Sequence, residues 1–400
     1  MLKLVKILLN VIIATLGVMG ALGLLEIGSR FLPTPYTGDS NPADTAWAAT
    51  GWRGKPHYQT TVNTEGYYHD LRLNSRGMHD TEHPLDKPPH TTRILLLGDS
   101  FVQAIHVDER ETAHQILEDT LNSQSTGQTF EVTSAGVGGW GTGQQLLYYR
   151  AEGRQYEPDL VLLAMFLGND VKDNLPGRGV TVAGINRYTP YFALTGDRLD
   201  PAQWLFAPGL PPVMGESPAW RHWANNALGK IHQQSRLYQQ LEPLVAVAPT
   251  QPSMLDFYLG NNDTFDYAFD LTLALAAQLH TEATADGAAF GVVLVSPIDL
   301  FEFTRMSTAE REAVYQELPG MRRAEEIEPP NRQITDRLAG RGIPVLDLFP
   351  PFLQQLEQTD ETLYFQQDKH WNVAGNRLAG EIMAAWVADN FDPSAAALSQ

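Results

Sequence analysis

The feature that most limits how this chain can fold is the run Ile94-Leu95-Leu96-Leu97, which leads straight into Gly98-Asp99-Ser100. A strand with one wet face alternates polar and apolar residues, so an unbroken apolar run reads as a strand covered on both faces. Similar reasoning gives strands at residues 130–133, 160–166, 290–295 and 344–348. Helical patterns cover residues 109–121, 144–152, 271–284, 332–338 and 373–390. Strands that alternate with helices imply a parallel sheet wrapped on both sides. The expected fold class is therefore α/β, a flavodoxin-like three-layer α/β/α sandwich with a parallel sheet of about five strands.

Two stretches fall outside this rhythm. Lys3 and Lys6 precede an apolar run over residues 7–25 that is long enough to span a bilayer as a helix. The lysines place that end in the cytosol and the rest of the chain on the extracytoplasmic side. Residues 1–31 thus read as a single-pass anchor in the cell membrane. Ala21 and Gly23 allow a cleaved signal peptide instead, but the Leu24-Leu25 that follows them favours an anchor. Residues 32–90 read as a linker and N-terminal extension, with turn signals at Asn63, Gly66, Asn74 and Gly77. The α/β domain is then 91–400, broken at about 173–262 by an insertion rich in Pro, Gly and aromatic residues. A formal net charge of -19 with no Lys/Arg run argues against nucleic acid as a partner. The absence of cysteine excludes disulfides, thiolate metal sites and cysteine nucleophiles.

In a doubly wound sheet, ligands bind beyond the carboxyl ends of the strands, and four sequence blocks converge there. Ser100 sits at a tight strand-to-helix turn after the first strand. The second strand ends in a glycine-rich turn, where Gly136 or Gly139 would let a backbone N–H approach a reacting carbonyl. Gly136, Gly138 and Gly141 also match the G-x-G-x-x-G dinucleotide fingerprint, with Asp170 as its acid. That fingerprint opens the first βαβ unit, whereas here a strand and a helix precede it. Asn169 ends the third strand and offers a side-chain amide. Asp368 stands two residues before His370, close enough to take one ring nitrogen and leave the other for a nucleophile. Each block alone is more simply a cap or a turn. Their order, each at a strand end or in the loop beyond it, is hard to explain by coincidence.

On these residues the sequence resembles the SGNH/GDSL hydrolase superfamily, and Leu73-Asn74-Ser75-Arg76-Gly77 resembles a bacterial membrane-anchored subgroup of it. The resemblance implies that Ser100 is the nucleophile and that His370, oriented by Asp368, is general base and then acid. The N–H groups of Ser100 and Gly139 and the amide of Asn169 would form the oxyanion hole. One departure stands out, because the common pattern puts the acid three residues before the histidine, where this chain has Gln367. No cofactor and no metal are expected. The implied function is a serine esterase that cleaves a small acyl ester, such as acetyl, from an envelope or extracellular glycan or lipid. An O-acyltransferase acting on an exported polysaccharide is the alternative, and a non-enzymatic envelope scaffold is the alternative of another class. Trp140, Trp371, Trp220 and Trp223 are candidates to stack on a sugar, although core packing is the simpler reading for each.

Overall fold

The computed structural model describes residues 49–174, 263–317 and 328–391 without a break, together with 44–47, residue 323 and parts of 6–24 and 180–199. The chain divides into two compact units. The larger one, Ala43–Val180, Arg187–Met214 and Pro252–Gln400, holds everything discussed below. It begins with two antiparallel hairpins, Asp44–Trp47 with Gly51–Gly54 and Gln59–Thr64 with Tyr67–Arg72.

The α/β elements follow in order: β1 (Thr91–Gly98), α1 (Ser100–Gln103), α2 (Ala113–Gln124), β2 (Thr129–Gly136), α3 (Thr142–Ala151), β3 (Leu160–Phe166) and α4 (Asp170–Asp173). After them come α5 (Asp263–Ala285), β4 (Ala289–Val295), α6 (Ile298–Arg305), α7 (Thr308–Glu317), α8 (Pro330–Ala339), β5 (Val345–Asp347), α9 (Phe349–Gln358) and α10 (Val373–Asn390). The five strands form one parallel sheet in the order β5-β4-β3-β1-β2. The order reverses between β1 and β3, so the crevice for a ligand opens at their carboxyl ends, where Gly98 and Phe166 stand.

The apolar runs divide between two cores. Ile94, Leu96, Leu162 and Val293 pack on one face with Leu117 of α2 and Met383 of α10. Leu95, Leu97, Leu163 and Val292 pack on the other with Leu146 of α3, Leu275 of α5 and Leu338 of α8. Side chains two apart on one strand share a face, so covering both sides demands the continuous hydrophobicity seen at residues 94–97. The expected parallel sheet and its helical layers are both present.

Several details differ from the sequence reading. Helices α6, α7 and α9 were not expected. α9 starts at Phe349-Pro350-Pro351, and prolines in a first helical turn cost nothing because that turn has no N–H acceptors to lose. Residues 44–54, assigned to a linker, form the first hairpin, whose Trp52 is fully buried. Trp140 and Trp371 do not face a ligand. Trp140 is in the core with its indole donating to the Trp52 carbonyl at 3.0 Å, and Trp371 packs on Phe101 and Phe352. Trp220 and Trp223 lie outside the described residues, as does most of the insertion. Within it the described part includes a small hairpin, Leu194–Thr195 with Arg198–Leu199. Most of the expected anchor also lies outside the description, and among the described residues no helix is long and apolar enough to cross a membrane.

The segment before β1 is bolted to the sheet by charge. His83 bridges Asp80 and Glu131 at 3.1 Å each, and Glu131 also meets the buried Arg93 at 2.9 Å. Burial opposes the imidazolium, but the two carboxylates outweigh it and hold His83 up to about 10. A raised value in the folded state contributes stability below the ordinary 6.5 that is lost as pH rises through about 10. Denaturant unfolding should therefore show stability falling across that window, and His83→Gln should flatten the slope.

Candidate active site

The site begins with a one-turn helix. The buried Asp99 carboxylate accepts from the Phe101 N–H at 2.9 Å and caps α1, and Ala104 ends it in the left-handed conformation (φ 46°). Ser100 is thereby fixed as the first residue of α1, at the sheet rim. The glycine turn after β2 closes over it. Gly136 belongs to the backbone contact, since a Cβ there would stand 2.3 Å from the Gln103 nitrogen. Of the two candidate donors, that makes Gly136 a packing residue. Gly139 has a positive φ of 74°, as a residue in an outward turn requires. The Gly138 N–H is taken by the Gln103 side chain at 2.9 Å, and the Gly138 carbonyl accepts from the Trp52 indole at 3.0 Å. The dinucleotide reading fails here, because β2 is an edge strand and Asp170 is fully buried, accepting from the Phe166 N–H at 3.1 Å.

The loop between α9 and α10 brings His370 to the serine. The His370 Nε2 lies 2.7 Å from the Ser100 Oγ, and its Nδ1 lies 2.7 Å from Asp368 Oδ1. Asp368, not the residue at 367, is thus the carboxylate that reaches the imidazole. The shorter spacing is absorbed by Lys369, which takes a left-handed conformation (φ 71°). The His370 side chain is 23% exposed and that of Asp368 only 1%. Its ring packs against Phe101 at 4.9 Å and stacks on His106 at 4.1 Å. Burial alone would lower the His370 pKa. The hydrogen bond and charge of Asp368, with Asp99 behind, outweigh it and hold the imidazole above its usual value. Ser100, His370 and Asp368 therefore form one hydrogen-bonded chain, in which the imidazole is placed to take the serine proton while the carboxylate orients the ring and offsets its charge.

Asn169 stands at the end of β3 as expected, but its amide is engaged. It donates to Asp173 at 3.0 Å and, more weakly, to Asp170 at 3.3 Å. Among the described residues one group of metal-capable donors lies together, His106, Asp368 and His370, and two of its three members belong to the proton chain.

Two contributors escaped the sequence reading. Gln103, one helical turn beyond the serine, holds the glycine turn in place. Glu65, at the tip of the second hairpin, accepts from the backbone N–H groups of Gln366, Gln367 and Asp368 at 2.9, 2.6 and 2.8 Å. Slight burial would raise its pKa, but those three donors and Lys369 lower it, so the carboxylate stays charged. An acid between Asn63 and Gly66 signals only a hairpin tip. Its partners are main-chain groups some three hundred residues away, which no side-chain pattern reveals. Glu65→Ala should leave folding intact, lower kcat about tenfold and leave KM nearly unchanged, since about 1.4 kcal/mol of misplacement costs that factor. Steady-state kinetics with a small activated ester checks it.

The sequence model of a family described as the SGNH hydrolase-like domain of the acetyltransferase AlgX matches residues 303–399. No curated protein sequence matches the chain. Among solved structures, the lipase/acylhydrolase from Enterococcus faecalis aligns at 13% identity and TM-score 0.37, over 76% of this chain and 98% of its own. A catalytic mutant of Axe2, an acetylxylan esterase from Geobacillus stearothermophilus, aligns at 12% identity and TM-score 0.36, over 75% of this chain and 95% of its own. At such TM-scores these likenesses decide nothing about function.

Proposed function

We propose that the chain is an acyl hydrolase or acyltransferase of the SGNH/GDSL type that acts on an acylated carbohydrate through an acyl-enzyme on Ser100; the family match over residues 303–399 and the Ser100–His370 contact support this reading. The observation that carries the reading is the pair of 2.7 Å contacts joining Ser100, His370 and Asp368. Ser100 gives its proton to the His370 Nε2 as Oγ bonds to the ester carbonyl carbon. The tetrahedral oxyanion is held by the N–H groups of Ser100 and Gly139 and by the Asn169 amide, which exchanges its weak contact with Asp170 for the substrate. A donor of this kind is worth about 3 kcal/mol of barrier. His370 returns the proton to the leaving alcohol oxygen as the C–O bond breaks. A second hydroxyl then gives its proton to His370, bonds to the acyl carbon and displaces Ser100, which is reprotonated.

That second hydroxyl separates the two readings. Water gives an esterase, and a sugar hydroxyl gives an O-acyltransferase. The family match favours the transferase, because it is described for an acetyltransferase and spans Asp368-Lys369-His370-Trp371. Release of acetate from p-nitrophenyl acetate, with and without an acceptor polysaccharide, decides between them. Acetyl appearing on the polysaccharide selects the transferase, and acetate alone selects the esterase. We also propose an extracytoplasmic site, tethered by residues 1–31. Lys3 and Lys6 ahead of the apolar run support that orientation, and protease protection of the C-terminal domain in intact spheroplasts would reject it.

Two outcomes test the chemistry. Ser100→Ala should abolish labelling by a fluorophosphonate and lower turnover by roughly 10⁴-fold or more, with the thermal midpoint retained. Unchanged labelling would remove Ser100 from its role. Only neutral His370 accepts the proton, so kcat/KM should rise with pH through a value above 6.5. Asp368→Asn removes the largest influence that raises that value and leaves burial, which lowers it, so the rising limb should move to lower pH.

A further inference from the structure

A second imidazole lies against the proton chain. His106 is 7% exposed, its ring lies nearly parallel to that of His370 (16°, centroids 4.1 Å apart), and its Nε2 is 3.4 Å from Asp368 Oδ1. That oxygen also faces the His370 Nδ1 at 2.7 Å and the His370 backbone N–H at 3.3 Å. The other nitrogen of His106, Nδ1, is buried and has no hydrogen-bond partner among the described residues. A proton on Nδ1 would be a buried donor with nothing to donate to, the costlier of the two ways to leave the atom alone. The ring therefore holds its single proton on Nε2, the nitrogen that lies nearest Asp368.

The backbone that presents His106 is held from outside the α/β domain. His69 bonds the Ile105 carbonyl at 3.0 Å and His79 bonds the Gln103 carbonyl at 3.0 Å. The titratable groups facing His106 are thus His370, Asp368, His69 and His79. Burial is the main force keeping His106 neutral, and the charges of His370, His69 and His79 act in the same direction.

We propose that His106 is a positioning residue of the same site: it donates its Nε2–H to Asp368, fixes that carboxylate for His370, and lays a neutral ring against the imidazolium that forms during acyl transfer. The 3.4 Å separation is long for a hydrogen bond, and contacts of this kind shorten when charge develops in the reacting complex. A face-on neutral ring stabilises a cation, so the stack favours protonated His370 at the moment the serine attacks. His106 never touches the ester. The inference rests on the serine–histidine reading above, and its failure is separable from failure of that reading.

Two variants of the full chain divide the ring from its donor. His106→Phe keeps a stacking ring and loses the N–H, whereas His106→Gln keeps an N–H near the Nε2 position and loses the ring. We expect the Phe variant to lose about ten- to hundredfold in kcat with KM within about twofold, the range seen when a partner that orients a working histidine is removed. The Gln variant should recover most of that loss. A Phe variant with wild-type kcat, or a Gln variant as impaired as Phe, overturns the proposal. A wild-type chain that neither labels nor turns over an ester overturns instead the underlying reading. Imidazole ¹⁵N shifts of the wild-type protein answer independently of how the variants fold. His106 neutral with its proton on Nε2 from pH 5 to 8 supports the assignment, and a proton on Nδ1 or a titration in that range refutes it.

Discussion

A serine hydroxyl is a poor nucleophile until a base stands within hydrogen-bond reach, so the 2.7 Å contact between Ser100 and His370 is the constraint that the rest of the molecule serves. The two residues are 270 positions apart, and no local element can join them. A parallel sheet can, because every strand ends at the same edge and each loop beyond it opens onto the same crevice. Ser100 arrives at the end of β1 and His370 in the loop before α10. Trp371 closes the gap, packing edge-on against Phe101 at 5.0 Å, so the apolar contact beside each reactive group ties one to the other. Asn376 adds a polar tie, accepting from the Ala113 N–H at 3.1 Å and joining α10 to α2.

The sheet alone leaves both reactive loops without enough partners, and the N-terminal extension supplies them. Trp52 bonds the Gly138 carbonyl in the glycine turn, Glu65 gathers three N–H groups of the Asp368 loop, and His69 and His79 hold the Ile105 and Gln103 carbonyls just ahead of His106. Backbone groups in a loop have no ladder to join, so side chains or water must satisfy them. A side chain does so in one geometry, and that is how a flexible connection becomes a fixed scaffold for a proton transfer. The extension is therefore part of the site, although none of its residues enters the proton chain.

This explains what was legible in the sequence. The strands were legible because burial on both faces leaves an unbroken apolar run, and the residues of the proton chain because reactive groups at strand ends follow from the topology. Asp368 reaches the imidazole despite its shortened spacing, since geometry asks only that a carboxylate meet one ring nitrogen. Glu65 was invisible because it recognises main-chain N–H groups, which every residue but proline carries. Trp140 misled for a related reason. An aromatic beside a glycine turn has the composition of a ligand platform, but its indole N–H found the Trp52 carbonyl and the ring turned inward. Helix α9 was hidden by its own start, where two prolines look like a break yet suit the first turn.

The buried carboxylates behind the serine give the site its electrostatic sense. Burial raises both Asp99 and Asp170, and each is further raised by the charge of neighbouring carboxylates, Asp173 for Asp99 and Asp99 for Asp170. Both carboxyls are thus held above the usual carboxylate range. One Asp99 oxygen has no hydrogen-bond partner among the described residues, so its charge is spread over little else. The Asp99 charge adds to the hydrogen bond and charge of Asp368 in holding His370 above its ordinary value. The field that holds His370 high in the resting state is the field that welcomes the imidazolium when the serine attacks.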